Sequence, residues 1–413
     1  MKKINKYPIL IFLLFSLTFF ISCDVSKKDH QNIKDTEIYK WHDSTVWTIE
    51  PDYALDVLCL LNVLTGDPFY VRYYGDDFRY FKKRFTPEIE KAIAGLNDKV
   101  RIKNRDIISA FLTLHFSTVN PSTIDDLLYY LRNSHEIESK MKNTPYYRGM
   151  TLFNDIKPEL TVIFNFLKEI DFYGYWKEKR LPVINNKIHE LESYIIKYNI
   201  TGEIESMTGR PLQSNKVGVK LLYYTKPHGI RITGTRFINA IDWSKEILVR
   251  TAIHELLHPP FIYKNDTELV EALVRLKDDE FIMDKVKNHN PDFGYNSFRG
   301  FLEEDTVRAM DQIISEKFEI HQEPRKRWLK EDDGMHVFTV ALYKVLKEDH
   351  SASQENIRDI LIKEISKGRL EPGRIETLYK EFYFINTLKI IIFAVSILIL
   401  ISFLYLLLFL KTM

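Results

Sequence analysis

The chain has 413 residues, enough for two domains or for one large domain with a helical extension. Its 58 Lys and Arg nearly cancel its 57 Asp and Glu, which leaves no net field to favour nucleic acid or an acidic polymer as partner. Two cysteines, Cys23 and Cys59, are too few for a disulfide scaffold, and Cys59 inside the apolar run "ALDVLCLLNVL" reads as a buried structural thiol.

At the N-terminus "MKKINK" supplies a positive n-region and "YPILIFLLFSLTFFIS" an apolar h-region too short to be a fold element, and Cys23 follows at once. Residues 1–23 resemble a bacterial lipoprotein signal, which implies a lipid on Cys23. Phe20 stands where such signals usually carry Leu, so an ordinarily cleaved signal and an uncleaved anchor stay open. Residues 24–37 are polar and read as a tether.

From 38 to 205 the chain reads as a helical N-terminal region. "PDYALDVLCLLNVLTG", "TPEIEKAIAGLN", "RDIISAFLTLHFS", "TIDDLLYYLRNS" and "ELTVIFNFLKEIDFYGYWKEK" carry apolar residues three and four apart. Thr86 followed by Pro87 predicts a capped helix start. The period changes at Lys216. "KVGVKLLYYTKPHGIRITGTRFINAIDW" predicts a strand, a hairpin turn at "KPHG" and one or two more strands. A helix from about Ser244 to His258 comes next, and helical patterns continue to residue 385. Ile390–Leu410 is uncharged, about 21 residues long and bracketed by Lys389 and Lys411, which predicts a C-terminal transmembrane helix. With an exported N-terminus, the body between the two ends lies outside the cytoplasm, anchored in the cell envelope.

Within "TAIHELLHPPF", His254 and His258 are four apart and so share one helix face, where both imidazoles can reach one ion. Glu255, displaced by one residue, projects beside them where it can hold a water. H-E-x-x-H with this division of labour is the signature of zinc-dependent peptide hydrolysis. The bland alternative is a pair of solvent-facing histidines on an ordinary helix. Against it stands the apolar stripe Ile247, Leu248, Ala252 and Ile253 on the same helix.

These residues, with a strand-rich segment before them, resemble the zincin metallopeptidases. The resemblance spans roughly residues 160 to 320 and implies an α+β, predominantly helical protein whose zincin-like catalytic domain, residues 206–385, has a small sheet preceding the H-E-x-x-H helix. No "HxxGxxH" continuation follows His258, so the gluzincin branch, with a Glu on a later helix as third ligand, is the one implied. Glu268 and Glu271 come only ten and thirteen residues after His258, whereas Glu303 and Glu304 come 45 and 46 after it. The string Glu304 to Ala309, "EDTVRA", looks like the "E-x-x-V-R-A" helix of several uncharacterised bacterial gluzincin-like families. It makes Glu304 the expected ligand, with Glu303 and then Glu271 as alternatives.

The resemblance implies Zn2+ held by His254, His258 and Glu304, with Glu255 as general base on a peptide or protein substrate. Tyr295, Arg299 and His336 are candidate donors to a developing oxyanion. The strand "GIRITGTRFINA" is a candidate edge for pairing an extended peptide. An inactive zincin-like binding module of the envelope, and a metal-dependent amidase on cell-wall peptides, are the other classes these residues allow. One departure from the pattern is Pro259, which pushes His258 away from the helical region and makes it the end of its helix.

Overall fold

A computed structural model of the chain describes residues 41–383 apart from 143, 145–146, 259–265, 291–292, 294, 296 and 350–354. The leader with Cys23, the tether and the apolar segment Ile390–Leu410 lie outside the described residues. Among the described residues no single helix is long and apolar enough to cross a membrane.

The described chain is α+β and predominantly helical, with one mixed sheet in the strand order β1-β2-β4-β3. The strands are β1 (Val46–Pro51), β2 (Lys216–Leu222), β3 (Ile230–Arg231) and β4 (Arg236–Ala240). β1 runs parallel to β2 with Val46 opposite Lys216, and β2 parallel to β4 with Gly218 opposite Arg236. β3 closes one edge antiparallel to β4, Ile230 opposite Ile238.

Two features depart from the sequence reading. β1 arises inside the region read as helical, so the helices that follow it form the crossover that two parallel strands require. The turn at "KPHG" closes no hairpin between β2 and β3. Its approach is instead held by α1 (Tyr53–Leu64) and α2 (Pro68–Lys82). Asp56 accepts from the backbone N–H groups of Tyr223 (3.2 Å) and Tyr224 (2.8 Å). Tyr74 Oη donates to the Tyr223 carbonyl (2.8 Å) and accepts from the Lys226 N–H (2.9 Å). Backbone groups that a hairpin ladder would use are thereby satisfied elsewhere, and β2 takes β4 as its neighbour.

The helices form for the expected local reasons. α3 (Pro87–Asn97) starts with Thr86 Oγ1 accepting from the Ile89 N–H and Pro87 in the first turn. The pattern read as one helix over 159–179 breaks at Asp171, which takes φ 50° and caps the second piece through Gly174 N–H (3.0 Å). α1 is buried at every position, Cys59 included. The buried apolar side chains form one cluster running from Tyr53 to Leu378, so the N-terminal helices and the sheet share a core. The end of α4 (Ile108–Phe116) also grips the β3–β4 hairpin. The Ser117 carbonyl accepts from Thr233 Oγ1 (2.9 Å) and Arg236 Nη2 (3.0 Å), and Ser117 Oγ accepts from the Thr233 N–H (3.2 Å).

Candidate metal centre

The two histidines lie on α5 (Lys245–Leu257), capped by Ser244 Oγ accepting from the Ile247 N–H (3.3 Å). Leu248, Val249, Ala252, Ile253, Leu256 and Leu257 are buried, so the helix is packed on more than one side. His258 caps it with φ −63° and ψ −47°. It therefore keeps its helical turn despite Pro259, and its imidazole stays in register with that of His254.

Facing it is α6 (Phe298–Lys317), capped by Ser297 Oγ accepting from the Gly300 N–H (3.1 Å). Residues 300–312 are buried without interruption, although they include Glu303, Glu304, Asp305, Arg308 and Asp311. Charged groups stay buried only when paired, so this stretch marks a polar centre rather than ordinary core.

His254, His258 and Glu304 form a buried group able to hold a metal ion, with one donor atom from each within 4.8 Å of the others. His254 Nε2 and His258 Nε2 are 3.3 Å apart. Glu304 Oε1 is 3.5 Å from His254 Nε2, and Oε2 is 3.4 Å from His258 Nε2. Beside them Glu255 is fully buried, and neither carboxylate oxygen has a hydrogen-bond partner among the described residues. The alternative ligands are elsewhere. Glu268 and Glu271 are exposed on the helix Thr267–Val274, where Glu268 pairs with Arg358 (2.6 Å). Glu303 is buried, but it is not in the group that converges.

A second layer orients the first. His254 Nδ1 donates to Asp311 Oδ2 (2.8 Å), which turns Nε2 toward Glu304 and His258. Asp311, seven residues after Glu304 on the same helix face, is held in turn by Arg327 of α7 (Pro324–Lys330), Nη2 to Oδ2 at 3.0 Å. Arg308, fully buried, donates Nε to Glu304 Oε1 (2.7 Å), Nη1 to Glu331 (2.7 Å) and Nη2 to Asp332 (2.9 Å). Asp332 and Asp333 hold this turn in the left-handed region, φ 47° and 52°.

Charge follows from these contacts. Burial opposes ionisation of Glu304, but His254, Arg308 and His258 outweigh it and hold the carboxyl near 2. Burial drives His258 down to about 3, so its imidazole is neutral with a lone pair available. His254 is raised, because Glu304 and Asp311 overcome its burial, and the same negative field favours a cation at Nε2. Burial lifts Glu255 to about 7, with His254 and Arg231 pulling the other way.

The oxyanion candidates separate. Both ring nitrogens of the candidate His336 are engaged, Nδ1 with Asp305 Oδ1 (2.6 Å) and Nε2 with Asp332 Oδ2 (2.8 Å), so it braces these two carboxylates. Tyr295, nine-tenths buried at φ 57°, packs edge-on to His336 at 6.1 Å. Arg299 lies by Glu303, where its charge opposes the burial that raises that acid to about 7. Sequence reasoning missed Arg231 of the edge strand β3, whose charge acts on Glu255, His258 and Glu303 together. It also missed Asp311 and Arg327. Asp311 had one signal, its position seven residues after Glu304; Arg327 and Arg231 had none.

Asp311→Asn keeps the side chain's size but loses the carboxylate that fixes His254. Metal affinity is expected to fall ~10–100-fold, read by chelator competition, and unchanged affinity would remove Asp311 from the site. His336 is tested by pH. Burial and Arg308 lower its pKa, yet Asp305 and Asp332 raise it to about 9 from 6.5. A folded value above the unfolded one gives stability that is complete below pH 6.5 and lost as pH rises to 9. The Tm gap between the parent and His336→Gln is expected to narrow by on the order of 5 °C across that window, and a constant gap would show that His336 folds uncharged.

No protein-family model, curated protein or solved structure matches the chain.

Proposed function

We propose that the chain is an extracytoplasmic, membrane-tethered zinc metallopeptidase of the gluzincin type. One observation carries this reading: His254 Nε2, His258 Nε2 and the Glu304 carboxylate are separated by 3.3, 3.4 and 3.5 Å, with an unpartnered Glu255 carboxylate beside them. Ligand atoms at zinc's bond lengths of ~2.0–2.1 Å sit ~3.3–3.4 Å apart on a tetrahedron, so the residues present fit that ion. Two imidazoles and one carboxylate also match the ligand set of catalytic rather than structural zinc.

When bound, zinc lowers the pKa of a water and polarises a carbonyl. The protein's own residues supply the rest. Asp311 fixes the tautomer of His254, and Arg308 fixes Glu304. Glu255 takes the proton of the attacking water at a carboxylate oxygen and returns it to the leaving amine nitrogen. Arg231 on β3 brings positive charge to the side of the centre where the edge strand lies, which suits the oxygen that becomes negative. β3 is the short last strand of the sheet, and an edge strand can pair an extended peptide while reading little of its sequence. The leader and Ile390–Leu410 supply the envelope location and the anchor, as read from the sequence.

The full chain is expected to contain about one zinc and to cleave an unfolded protein substrate such as reduced casein. Activity should vanish with 1,10-phenanthroline and return with stoichiometric zinc. A reconstituted chain that binds no zinc, or that binds it and cleaves nothing across a peptide library, would reject the peptidase reading.

A further inference from the structure

The chain is held by α7 shortly before the apolar segment Ile390–Leu410. The Phe382 carbonyl accepts from Arg325 Nη2 (2.5 Å), and the Phe382 ring lies 6.0 Å from that of Trp328 and 5.2 Å from the Arg325 guanidinium. Tyr383 and Ile390 are seven residues apart in sequence, at most about 25 Å of fully extended chain. With Ile390–Leu410 as the anchor, α7 therefore stands close to the bilayer surface.

α7 has two unlike faces. Inward, Arg327 and Trp328 are buried, and Arg327 holds the Asp311 that orients His254. Outward, Lys326, Leu329 and Lys330 are three and four residues apart, hence on one side of the helix, and all three are exposed. Leu329 is 55% exposed, and neither lysine is in an ion pair among the described residues. The acids around them are mostly engaged. Glu323 caps the helix by accepting from the Arg325 and Lys326 N–H groups (3.3 and 2.9 Å), Glu331 and Asp332 are buried against Arg308, and Asp333 is exposed past the helix end. Near the chain end, Glu376 pairs with Lys380 (2.8 Å) and Glu381 with Lys344 (3.1 Å). An exposed leucine between two unpaired lysines, with the partly buried rings of Phe382 and Tyr383 at the chain end, has the chemistry of a membrane interface: cations for headgroup phosphates, apolar groups for the boundary beneath them.

We propose that the outer face of α7 docks on the bilayer that anchors the chain, with Lys326 and Lys330 on anionic lipid headgroups and Leu329 in the boundary below them. The inference rests on the reading of Ile390–Leu410 as the anchor. Because Arg327 of the same helix braces Asp311, the docked helix is two side chains removed from His254, and docking fixes how the metal centre is presented at the membrane.

The full chain in lipid nanodiscs tests this with its own lysines. Acetylation by a water-soluble reagent, followed residue by residue in the mass spectrometer, is expected to slow about fivefold or more at Lys326 and Lys330 when phosphatidylcholine discs are replaced by discs rich in phosphatidylglycerol, and high salt should restore the rates. Lys168, exposed on a helix that packs among the N-terminal helices, should keep its rate. Leu329→Asp, at an exposed position, should abolish the protection with Tm preserved. Equal rates at Lys326 and Lys330 in the two bilayers, slowing shared by Lys168, or protection that survives Leu329→Asp would overturn the docking and leave the anchor standing. A chain that fails to co-purify with the discs would instead overturn the anchor, and the docking with it.

Discussion

Glu255→Gln is expected to keep about one zinc per chain while peptide hydrolysis falls ~10²–10⁴-fold, the usual contribution of a positioned general base. The structural reason is that Glu255 is fully buried and neither of its oxygens has a hydrogen-bond partner among the described residues. No hydrogen bond is lost in the exchange, and glutamine has the same shape, so folding is not the variable being read. Burial already holds the acid near 7, and replacing it with a neutral group should leave Tm unchanged or slightly higher. The measurements are kcat on a cleaved peptide, elemental analysis and Tm on the same preparations. Full activity in the variant would move the base role to another residue. Loss of zinc together with activity would make Glu255 part of the binding site rather than the base.

The second large effect concerns the ligands. His258→Ala and Glu304→Gln are each expected to weaken zinc binding by more than the ~10–100-fold typical of an outer-shell change, whereas Glu303→Gln should leave it nearly intact. Glu304 places an oxygen 3.4–3.5 Å from each histidine nitrogen, while Glu303, although buried, does not converge with them. Glu304→Gln also removes a partner of buried Arg308, which leaves that cation with Glu331 and Asp332 and preserves most of its pairing. Chelator competition gives the affinities. If Glu303→Gln released the metal and Glu304→Gln did not, the third ligand would be Glu303 and α6 would present a different face to α5.

Much of this centre is legible in the sequence. Spacing of four on a helix puts His254 and His258 on one face, because rise and turn per residue are local properties of the backbone. The caps at Thr86 and Ser244 and the apolar periods of most helices belong to the same local class. Less is legible on α6, where a run mixing Glu, Asp and Arg has the composition of a solvated face and is buried from 300 to 312. Its charges pair with Glu331, Asp332, Arg327 and His336, which lie 16 to 31 residues further along the chain, beyond the few turns of helix that a local pattern covers.

The sheet divides in the same way. The alternation in "KVGVKLL" predicts a strand, yet its neighbours were decided by Asp56 and Tyr74, which hold the backbone after it and leave β1 and β4 as its partners. By itself, then, the sequence determined the H-E-x-x-H face, the helical character of most of the chain and the short candidate list for a third ligand, because short-range geometry governs all three. Only the tertiary structure brought Glu304 to the histidines, set Asp311 behind His254 and placed Arg231 near Glu255. Those positions depend on how α6 packs on α5 and on which strand closes the sheet, and that choice is made by burial across the whole core.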